Sequence, residues 1–410
     1  MRVALLCPYS LSRPGGVQGQ VTGLAAALVA GGHEVAVLAP TDGRGRAPAD
    51  GALPAPRTPG ALERRPVVPD GGASDAVAAG GAAADRLAAD GVQLVDLGPS
   101  LPVPANGSVA PLALRPGASR AAIRGLRAGA YDVLHLHEPL APGPAWACLA
   151  RGDLPMVGTF HRAGGSVGYR LLAPVARHWV NRLAARCAVS EEARRTAQRM
   201  LGGSYEVVGN GVDLERFRHA RPYPTAGPTV LFVGRHERRK GLAVALDALE
   251  RLGPDSELTL WVAGEGPETR SLRRRHPPSR RLEWLGRLGD QELAERLGGA
   301  HVVCVPSLAG ESFGVVLLEA MATRCAVVAS DLPGYASVVA SHGTLVPPGD
   351  AGALAAVLAD LAVEAAAGSG RCAPAALDAA AAHAERWAMP RVAHRYLEIY
   401  RRVVAVGPSA

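Results

Sequence analysis

The stretch RVALLCPYSLSRPGGVQGQVTGLAAALVAGGHEVAVLA, residues 2–39, decides the fold. Val3–Cys7 is a short apolar run that predicts a buried strand, and Pro14-Gly15-Gly16 follows as a tight turn. Val17–Ala30 has a helical pattern that ends at Gly31-Gly32, and His33–Ala39 predicts a second strand. A strand, a glycine turn, a helix and a strand form a βαβ unit, which requires a parallel sheet with a right-handed crossover.

The same alternation of strands and helices continues along both halves of the chain. In the first half, strands are predicted at Val92–Leu97, Asp132–Leu136, Met156–Thr159 and Arg186–Val189. In the second half, strands are predicted at Thr229–Gly234, Leu258–Ala263, Leu282–Trp284, Val302–Pro306, Ala326–Ala329 and Thr344–Val346, with helices at 241–251 and 315–323. We therefore predict an α/β protein with two Rossmann-like domains that face a central cleft.

Proline and glycine mark the boundary between the halves. Pro222-Tyr223-Pro224 and Gly227-Pro228 predict a linker, so we expect domains at 1–220 and 221–390. Residues 391–410 are expected to form a helix that packs back on the first domain. Residues 43–90 are rich in Ala, Gly, Pro and Arg with weak periodicity, which favours a disordered or loosely packed surface insertion.

Composition narrows the classes of protein. A chain of 410 residues with 48% hydrophobic and 20% charged residues is typical of a globular protein of two or three domains. The net charge of +7 is compatible with anionic small molecules, an anionic membrane surface or nucleic acid. No basic stripe interleaved with aromatic residues is present, so nucleic acid is not an expected partner.

The cysteines and the N-terminus indicate the compartment. No C-x-x-C pair occurs, and the scattered positions predict buried free thiols in a reducing environment. The first apolar run stops at Pro8, too early for a signal peptide, and no apolar stretch reaches the ~20 residues of a membrane span. We expect a cytoplasmic protein whose membrane contact, if any, is peripheral. The cysteines are Cys7, Cys148, Cys187, Cys304, Cys325 and Cys372.

Two cations mark a candidate phosphate site. Gly234-Arg235 ends a predicted strand and Lys240-Gly241 opens the next helix, so both side chains can converge on a diphosphate. Lys240 is the single lysine of the sequence. Either the site needs a compact ammonium rather than a planar guanidinium, or one lysine has survived by chance.

Glycine-rich turns offer further candidates. Gly15-Gly16 opens a helix after the first strand, where phosphate is favoured, although a plain tight turn explains it equally well. Gly264-Glu265-Gly266 follows another strand. Gly310-Glu311-Ser312-Phe313-Gly314, with Glu319 eight residues after Glu311, suits a hydroxyl-rich ligand because carboxylates accept hydrogen bonds from vicinal hydroxyls. The alternative is a helix-capping Glu311 and a surface Glu319.

The arrangement of Arg235, Lys240, Glu311 and Glu319 resembles the donor-site signature of family 4 retaining glycosyltransferases of the GT-B fold. The resemblance implies a nucleotide-sugar donor and no cofactor or metal, while Mg²⁺ dependence cannot be read from the sequence. It implies that Arg235 and Lys240 hold the diphosphate, Glu311 binds the transferred sugar and Glu319 the ribose. It also assigns Gly16, through its backbone N–H, to the distal phosphate. Further donor-binding residues on this basis are Gly15, Gly234, Asp290, Ser312, Phe313 and Gly314.

The first half resembles one branch of that family, the actinobacterial phosphatidylinositol α-mannosyltransferases. This implies GDP-mannose as donor and phosphatidyl-myo-inositol as acceptor. It also implies that His161 lies beside the sugar and the acceptor, counted among the catalytic residues, and that Tyr9, Gln18 and Asn106 contact the acceptor. The motifs that carry the resemblance are Cys7-Pro8-Tyr9-Ser10, Pro14–Gln18, Asn106–Ala110, His135–Pro139, Thr159-Phe160-His161, Ala188-Val189-Ser190 and Asn210–Asp213.

Departures from that branch leave the acceptor open. Pro111 and Ala113 stand where the family has basic residues, Leu140 replaces an Asn, and Arg162 is the nearest cation where a Lys is expected. The acceptor is therefore phosphatidyl-myo-inositol or another alcohol, such as a soluble cyclitol or a secondary metabolite. A third alternative is a non-catalytic nucleotide-sugar-binding subunit, which the complete donor cluster disfavours.

Basic amphipathic segments are candidates for membrane contact. Arg120, Arg124 and Arg127 fall on one face of a predicted helix, and Tyr169–Arg186 combines arginines with apolar residues. Such faces bind anionic lipid in some proteins and are simply solvated in others.

Overall fold

The computed structural model describes residues 1–13, 15–42, 84–105, 108–162 and 176–407. Asn106 and residues 43–83 of the expected insertion lie outside this part of the chain. The strands of the described part are β1 (Arg2–Leu6), β2 (Glu34–Ala39), β3 (Gln93–Asp96), β4 (Leu101–Ala105), β5 (Ser108–Leu112), β6 (Val133–His137), β7 (Met156–Phe160), β8 (Ala185–Ala188), β9 (Glu206–Val207), β10 (Thr229–Val233), β11 (Thr259–Ala263), β12 (Leu282–Gly286), β13 (Val302–Val305), β14 (Ala326–Ser330) and β15 (Thr344–Val346).

Helices connect most of these strands. The labelled helices are α1 (Gly16–Ala30), α2 (Pro116–Gly129), α3 (Pro144–Arg151), α4 (Glu191–Leu201), α5 (Leu214–Arg218), α6 (Leu242–Arg251), α7 (Thr269–Arg275), α8 (Asp290–Gly299), α9 (Val315–Ala322), α10 (Pro333–Val339), α11 (Ala351–Ala367), α12 (Pro374–Ala384) and α13 (Met389–Val406), with 3₁₀ turns at Arg238–Lys240, Gly370–Cys372 and Glu385–Trp387. Residues 84–89 and 176–180 are also helical.

The strands form two parallel sheets. The first has the order β3-β2-β1-β6-β7-β8-β9 and the second β12-β11-β10-β13-β14-β15, while β4 and β5 pair as a separate antiparallel hairpin. The order reverses between β1 and β6 in the first sheet and between β10 and β13 in the second. At such reversal points, ligands bind outside the carboxyl ends of the strands. The predicted pair of Rossmann-like domains is confirmed.

Each sheet is covered by helices on both faces, which explains why strands such as β1, β13 and β14 are nearly continuous apolar runs. Val3–Leu6 of β1, for example, is fully buried. In the first domain, α1 and α13 pack on one face and α2 and α3 on the other. In the second domain, α6 and α11 cover one face, and α8, α9 and α12 the other.

The chain passes between the domains at two adjacent points. The Val212 N–H donates to the Trp387 carbonyl and the Met389 N–H to the Val212 carbonyl, both at 2.8 Å. Gln20 of α1 holds the first crossing because its amide donates to the Gly211 carbonyl at 2.6 Å and accepts from the Gly211 N–H at 2.7 Å. After the second crossing, α13 buries Tyr396 against the first sheet.

The structure differs from expectation at the end of the predicted insertion. Residues 84–89 are helical, and Leu87 is 1% exposed in the same core as α1. This segment therefore belongs to the folded domain, since a buried leucine anchors it to the sheet. All six cysteines are buried free thiols, as predicted. In the described ranges, no helix has both the length and the apolar character needed to cross a membrane.

Candidate active site

The loop after β10 carries the two predicted cations. Gly234 and Arg235 follow the strand, and the 3₁₀ turn Arg238–Lys240 leads into α6. Gly241 between the turn and the helix has a left-handed backbone, with φ of 70°, and a Cβ there would collide with the Pro306 carbonyl oxygen. Glycine thus lets the loop lie against the end of β13, at the point where the strand order reverses.

Ion pairs join this loop to Glu311. Lys240 Nζ and Arg239 Nη1 both lie 2.7 Å from Glu311 Oε1. On the other side of Arg239, its Nε lies 3.1 Å from Glu237 Oε2, and Arg235 Nη2 lies 3.0 Å from Glu237 Oε1. The structure therefore brings three predicted site residues, Arg235, Lys240 and Glu311, into one connected cluster.

Two members of this cluster, Glu237 and Arg239, were missed by the sequence analysis. The Glu237 side chain is only 3% exposed although it lies in a polar loop, and it holds the guanidinium groups on either side of it. The alternation of charge through Arg235, Glu237 and Arg239 was the available signal. A buried carboxylate between cations positions them without leaving an uncompensated charge.

The Glu311 loop and α9 form the next part of the site. Phe313 is buried against Trp387, with ring centroids 6.0 Å apart, and Ser312 and Gly314 are half-buried. The Glu311 carbonyl lies close to Gly334 at the start of α10. These contacts hold the loop on the domain core, so that Glu311 is presented from a fixed backbone.

Arg216 links the other two predicted acidic residues. Its guanidinium lies 4.0 Å from Glu319 Oε1 and 3.6 Å from Asp290 Oδ1, and Asp290 also pairs with Arg86 of the first domain. Burial raises the pKa of Glu319 to about 7, with Asp290 raising it further and Arg216 lowering it. Glu319 can therefore change its protonation state near neutral pH. Arg216 gave no signal in the sequence analysis.

The turn after β1 is held by Gln18. Its Nε2 donates to the Ser10 carbonyl at 3.3 Å and to the Arg13 carbonyl at 3.2 Å. The backbone of Tyr9 forms an isolated antiparallel β-bridge with that of Leu112 in the hairpin. Gly15 and Gly16 are exposed at the start of α1, with Gly15 as its N-cap residue. This places the predicted Tyr9, Gln18 and glycine turn at the carboxyl edge of the first sheet.

His161 follows β7 at the same edge and is buried. Its Nε2 lies 3.0 Å from Nδ1 of His137, and its backbone N–H donates to Glu138 Oε1 at 2.7 Å. Burial lowers the pKa of His161 to about 3, and the pKa of His137 also lies well below its usual value, mainly through burial. Both imidazoles are neutral at neutral pH, so one ring donates the shared hydrogen bond and the other accepts it.

A second hydrogen-bond chain connects these strands with the last helix. His135 Nδ1 lies 2.6 Å from the Tyr400 hydroxyl, and His135 Nε2 lies 2.7 Å from Oγ1 of Thr159. Thr159 Oγ1 is also 3.1 Å from the Tyr396 hydroxyl. α13 therefore supports the ends of β6 and β7, next to His137 and His161.

Three of the positions at which this chain departs from the mannosyltransferase motifs, Pro111, Ala113 and Leu140, are apolar and buried. Pro111 accepts a hydrogen bond at its carbonyl from the Ser10 N–H at 2.9 Å, Ala113 is fully buried and Leu140 is 7% exposed. Across the described ranges, no group of three or more His, Cys, Asp or Glu side chains is placed to hold a metal ion.

The sequence matches two family models, and the fold matches solved structures. Residues 14–216 match the family described as Glycosyltransferase Family 4, and residues 227–363 the family described as Glycosyl transferases group 1. A glycosyltransferase from Rickettsia africae superposes with a TM-score of 0.70 at 15% identity over 98% of each chain. Sucrose-phosphate synthase from Thermosynechococcus elongatus gives 0.71 at 20% identity over 99% of each chain. The chain is a glycosyltransferase of the GT-B fold.

Curated relatives define the family more narrowly. The chain is 38% identical over 368 residues to the phosphatidyl-myo-inositol mannosyltransferase of Mycolicibacterium smegmatis, covering 87% of this chain and 84% of that protein. It is 32% identical over 358 residues to that of Propionibacterium freudenreichii, covering 84% and 81%. The chain belongs to the phosphatidyl-myo-inositol mannosyltransferase family.

The role of Lys240 in turnover can be tested by comparing it with a neighbouring cation, Arg238. We expect Lys240→Ala to lower turnover by roughly 10²–10³, the usual effect of losing one preorganised charge stabiliser. The fold should survive because Arg239 still pairs with Glu311. Arg238→Ala removes an exposed cation of the same turn and should retain near-normal turnover in a steady-state assay. Normal turnover by a folded Lys240→Ala protein would contradict the assignment.

The pKa of Glu319 predicts a pH-dependent donor affinity. If its carboxylate accepts hydrogen bonds from the ribose, only the ionised form binds well, and a pKa of about 7 makes affinity rise by about tenfold from pH 6 to pH 8. Calorimetry should use GDP-mannose, the donor expected from the sequence, because a terminal phosphate would itself titrate near pH 6. Glu319→Gln should abolish the slope, and an unchanged slope in that variant would refute the role of Glu319.

Proposed function

We propose that this protein transfers mannose from GDP-mannose to a hydroxyl of phosphatidyl-myo-inositol with retention of the anomeric configuration. The observation that carries the proposal is the ion-paired cluster in which Lys240 and Arg239 share one oxygen of Glu311, beside Arg235. Cations for a diphosphate and a carboxylate for sugar hydroxyls thus lie next to each other. The names of the curated relatives supply the expected sugar and acceptor.

The charge balance of the cluster suits a departing diphosphate. Its cations Arg235, Arg239 and Lys240 outnumber its carboxylates Glu237 and Glu311 by one. The Arg235 side chain is 52% exposed and Lys240 is 24% exposed, so both remain accessible to a ligand. Fixed charges of this kind stabilise the negative charge that develops on the leaving group without reorganising in the reaction.

His161 would orient the sugar rather than act as an obligatory base. Because its pKa is about 3, a proton taken from the acceptor would not stay on this imidazole at neutral pH. In the proposed reaction, the acceptor hydroxyl approaches the face from which the diphosphate leaves. Its oxygen forms the new glycosidic bond, the sugar–phosphate bond breaks, and a phosphate oxygen of the leaving group takes the proton.

A second candidate keeps the donor chemistry and changes the acceptor. Pro111, Ala113 and Leu140 place buried apolar groups at positions where the mannosyltransferase motifs carry polar or basic residues. Fewer cations at these positions would weaken recognition of a phosphorylated head group. An uncharged acceptor, such as a soluble cyclitol, is therefore the alternative.

We also propose that the protein acts in the cytoplasm as a peripheral protein of an anionic membrane. The supporting feature is α2, on which Arg120, Arg124 and Arg127 are exposed along one face. Basic helical faces are attracted to anionic lipid within a Debye length of its surface.

The reaction itself is tested by product analysis. Purified protein, GDP-mannose and phosphatidyl-myo-inositol in mixed vesicles should give a mannosylated lipid whose new linkage is α by NMR. A β linkage would eliminate a retaining transfer. Free myo-inositol and other cyclitols, offered in parallel, decide between the two acceptors, since transfer to a cyclitol but not to the lipid would overturn the lipid assignment.

The role of Gly16 can be separated from its place in the fold. A Cβ added at Gly16 or at Gly19 of the same helix would meet no atom within 4 Å, so both tolerate alanine sterically. We expect both variants to keep or slightly raise the melting temperature, because alanine favours helices. If the Gly16 backbone approaches the donor phosphate, the added methyl group of Gly16→Ala should keep the phosphate away from the backbone N–H. We expect kcat/KM to fall by roughly tenfold or more, which corresponds to the loss of about one hydrogen bond to a charged group. Gly19→Ala is the matched control, and equal activities would contradict the close approach.

A further inference from the structure

A cavity of about 170 Å³ lies in the first domain between α2 and α3. Its floor begins at the first residue of β7, Met156, whereas His161 follows the other end of that strand. At a rise of about 3.3 Å per residue, the strand from Met156 to Phe160 alone spans roughly 13 Å between these two ends. The cavity therefore lies at the edge of the sheet opposite the candidate active site.

The floor of the cavity is apolar. Burial raises the pKa of the Cys148 thiol to about 12, so this group is uncharged at neutral pH. An enclosed apolar cavity of about 150 Å³ can hold a benzene molecule, so the volume here corresponds to roughly six carbon atoms. The apolar lining residues are Ile123, Leu126, Leu134, Cys148, Leu154 and Met156.

The mouth of the cavity is charged and reaches the surface. Arg127, Arg151 and Asp153 line it, and all three are exposed. Arg151 Nε lies 2.8 Å from Asp153 Oδ2, so the charges of this pair cancel. The charge of Arg127 then gives the mouth a net charge of about +1. Arg124 continues the positive face of α2 one turn away, outside the cavity lining. An apolar floor below a positive mouth is complementary to a hydrocarbon chain that ends in an anion.

We propose that this cavity holds the end of an acyl chain of an anionic membrane phospholipid, whose phosphate lies against Arg127 and Arg151. This site is separate from the site at which the acceptor would react. The basic face of α2 attracts anionic lipid electrostatically, and insertion of the acyl chain adds a hydrophobic contact. That contact is favourable because the inserted acyl chain is removed from water. The proposal requires neither a particular donor nor transferase activity.

Binding of a short monomeric probe tests the site itself. Calorimetry with n-octyl phosphate below its micelle concentration should show binding to the full chain. 1-Octanol and glycerol 3-phosphate each supply only one half of the probe and should bind at least tenfold more weakly. Arg127→Glu should weaken binding of n-octyl phosphate by at least tenfold, whereas Arg124→Glu makes the same charge change outside the cavity and should stay within threefold. Equal losses in both variants, or equal binding of glycerol 3-phosphate, would overturn the proposal.

Filling the cavity tests the occupant. Leu154→Trp at the half-buried rim, and Cys148→Met at the floor as a second variant, should each abolish binding of n-octyl phosphate in proteins whose melting curves remain cooperative. Their co-sedimentation with phosphatidylglycerol vesicles should fall severalfold, while residual binding to phosphatidylcholine vesicles stays unchanged. If both filled variants lose the probe but keep full binding to phosphatidylglycerol vesicles, the occupant is not a membrane lipid and the proposal fails.

Discussion

The parallel pairing of every strand in the two large sheets is the constraint on which the site depends. Each connection carries the polypeptide from the carboxyl end of one strand back to the amino end of the next. The segments that directly follow the strands therefore collect at the carboxyl edges of the two sheets. Gly16, His161, Arg235 and Glu311 all lie in such segments. The parallel topology thus brings residues as many as 295 positions apart in the sequence to the carboxyl edges of the two sheets.

The sequence was sufficient to predict most of the strands because strands such as β1, β2, β10, β13 and β14 are buried and almost entirely apolar. The predicted strand Thr229–Gly234 and helix 241–251, for instance, correspond to β10 and α6 within one residue at each end. The hairpin of β4 and β5 was not predictable in this way, since its prolines argue against strands. α11 was also missed, because its many alanines give little contrast between its buried and exposed faces.

Within the candidate site, sequence reasoning identified Arg235, Lys240 and Glu311 but missed Glu237, Arg239 and Arg216, which form ion pairs with predicted site residues. Arg239 and Glu311 are 72 positions apart, so their pairing is a tertiary contact that no local pattern encodes. In the sequence, Glu237 and Arg216 look like ordinary solvated residues of a loop and a helix. Burial by the fold, rather than residue type, makes them part of the site.

The contact between Lys240 and Glu311 also offers a physical reason for the single lysine. An ammonium group carries three donors that rotate about a flexible stem, whereas the donors of a guanidinium are held in one plane. Lys240 can therefore keep its 2.7 Å contact with Glu311 and direct a second donor to a diphosphate. In the proposed reaction, this would hold the carboxylate beside the sugar while the phosphate departs. An arginine already occupies the other approach to the same carboxylate oxygen, at position 239, so a second planar group would have to compete with it for space.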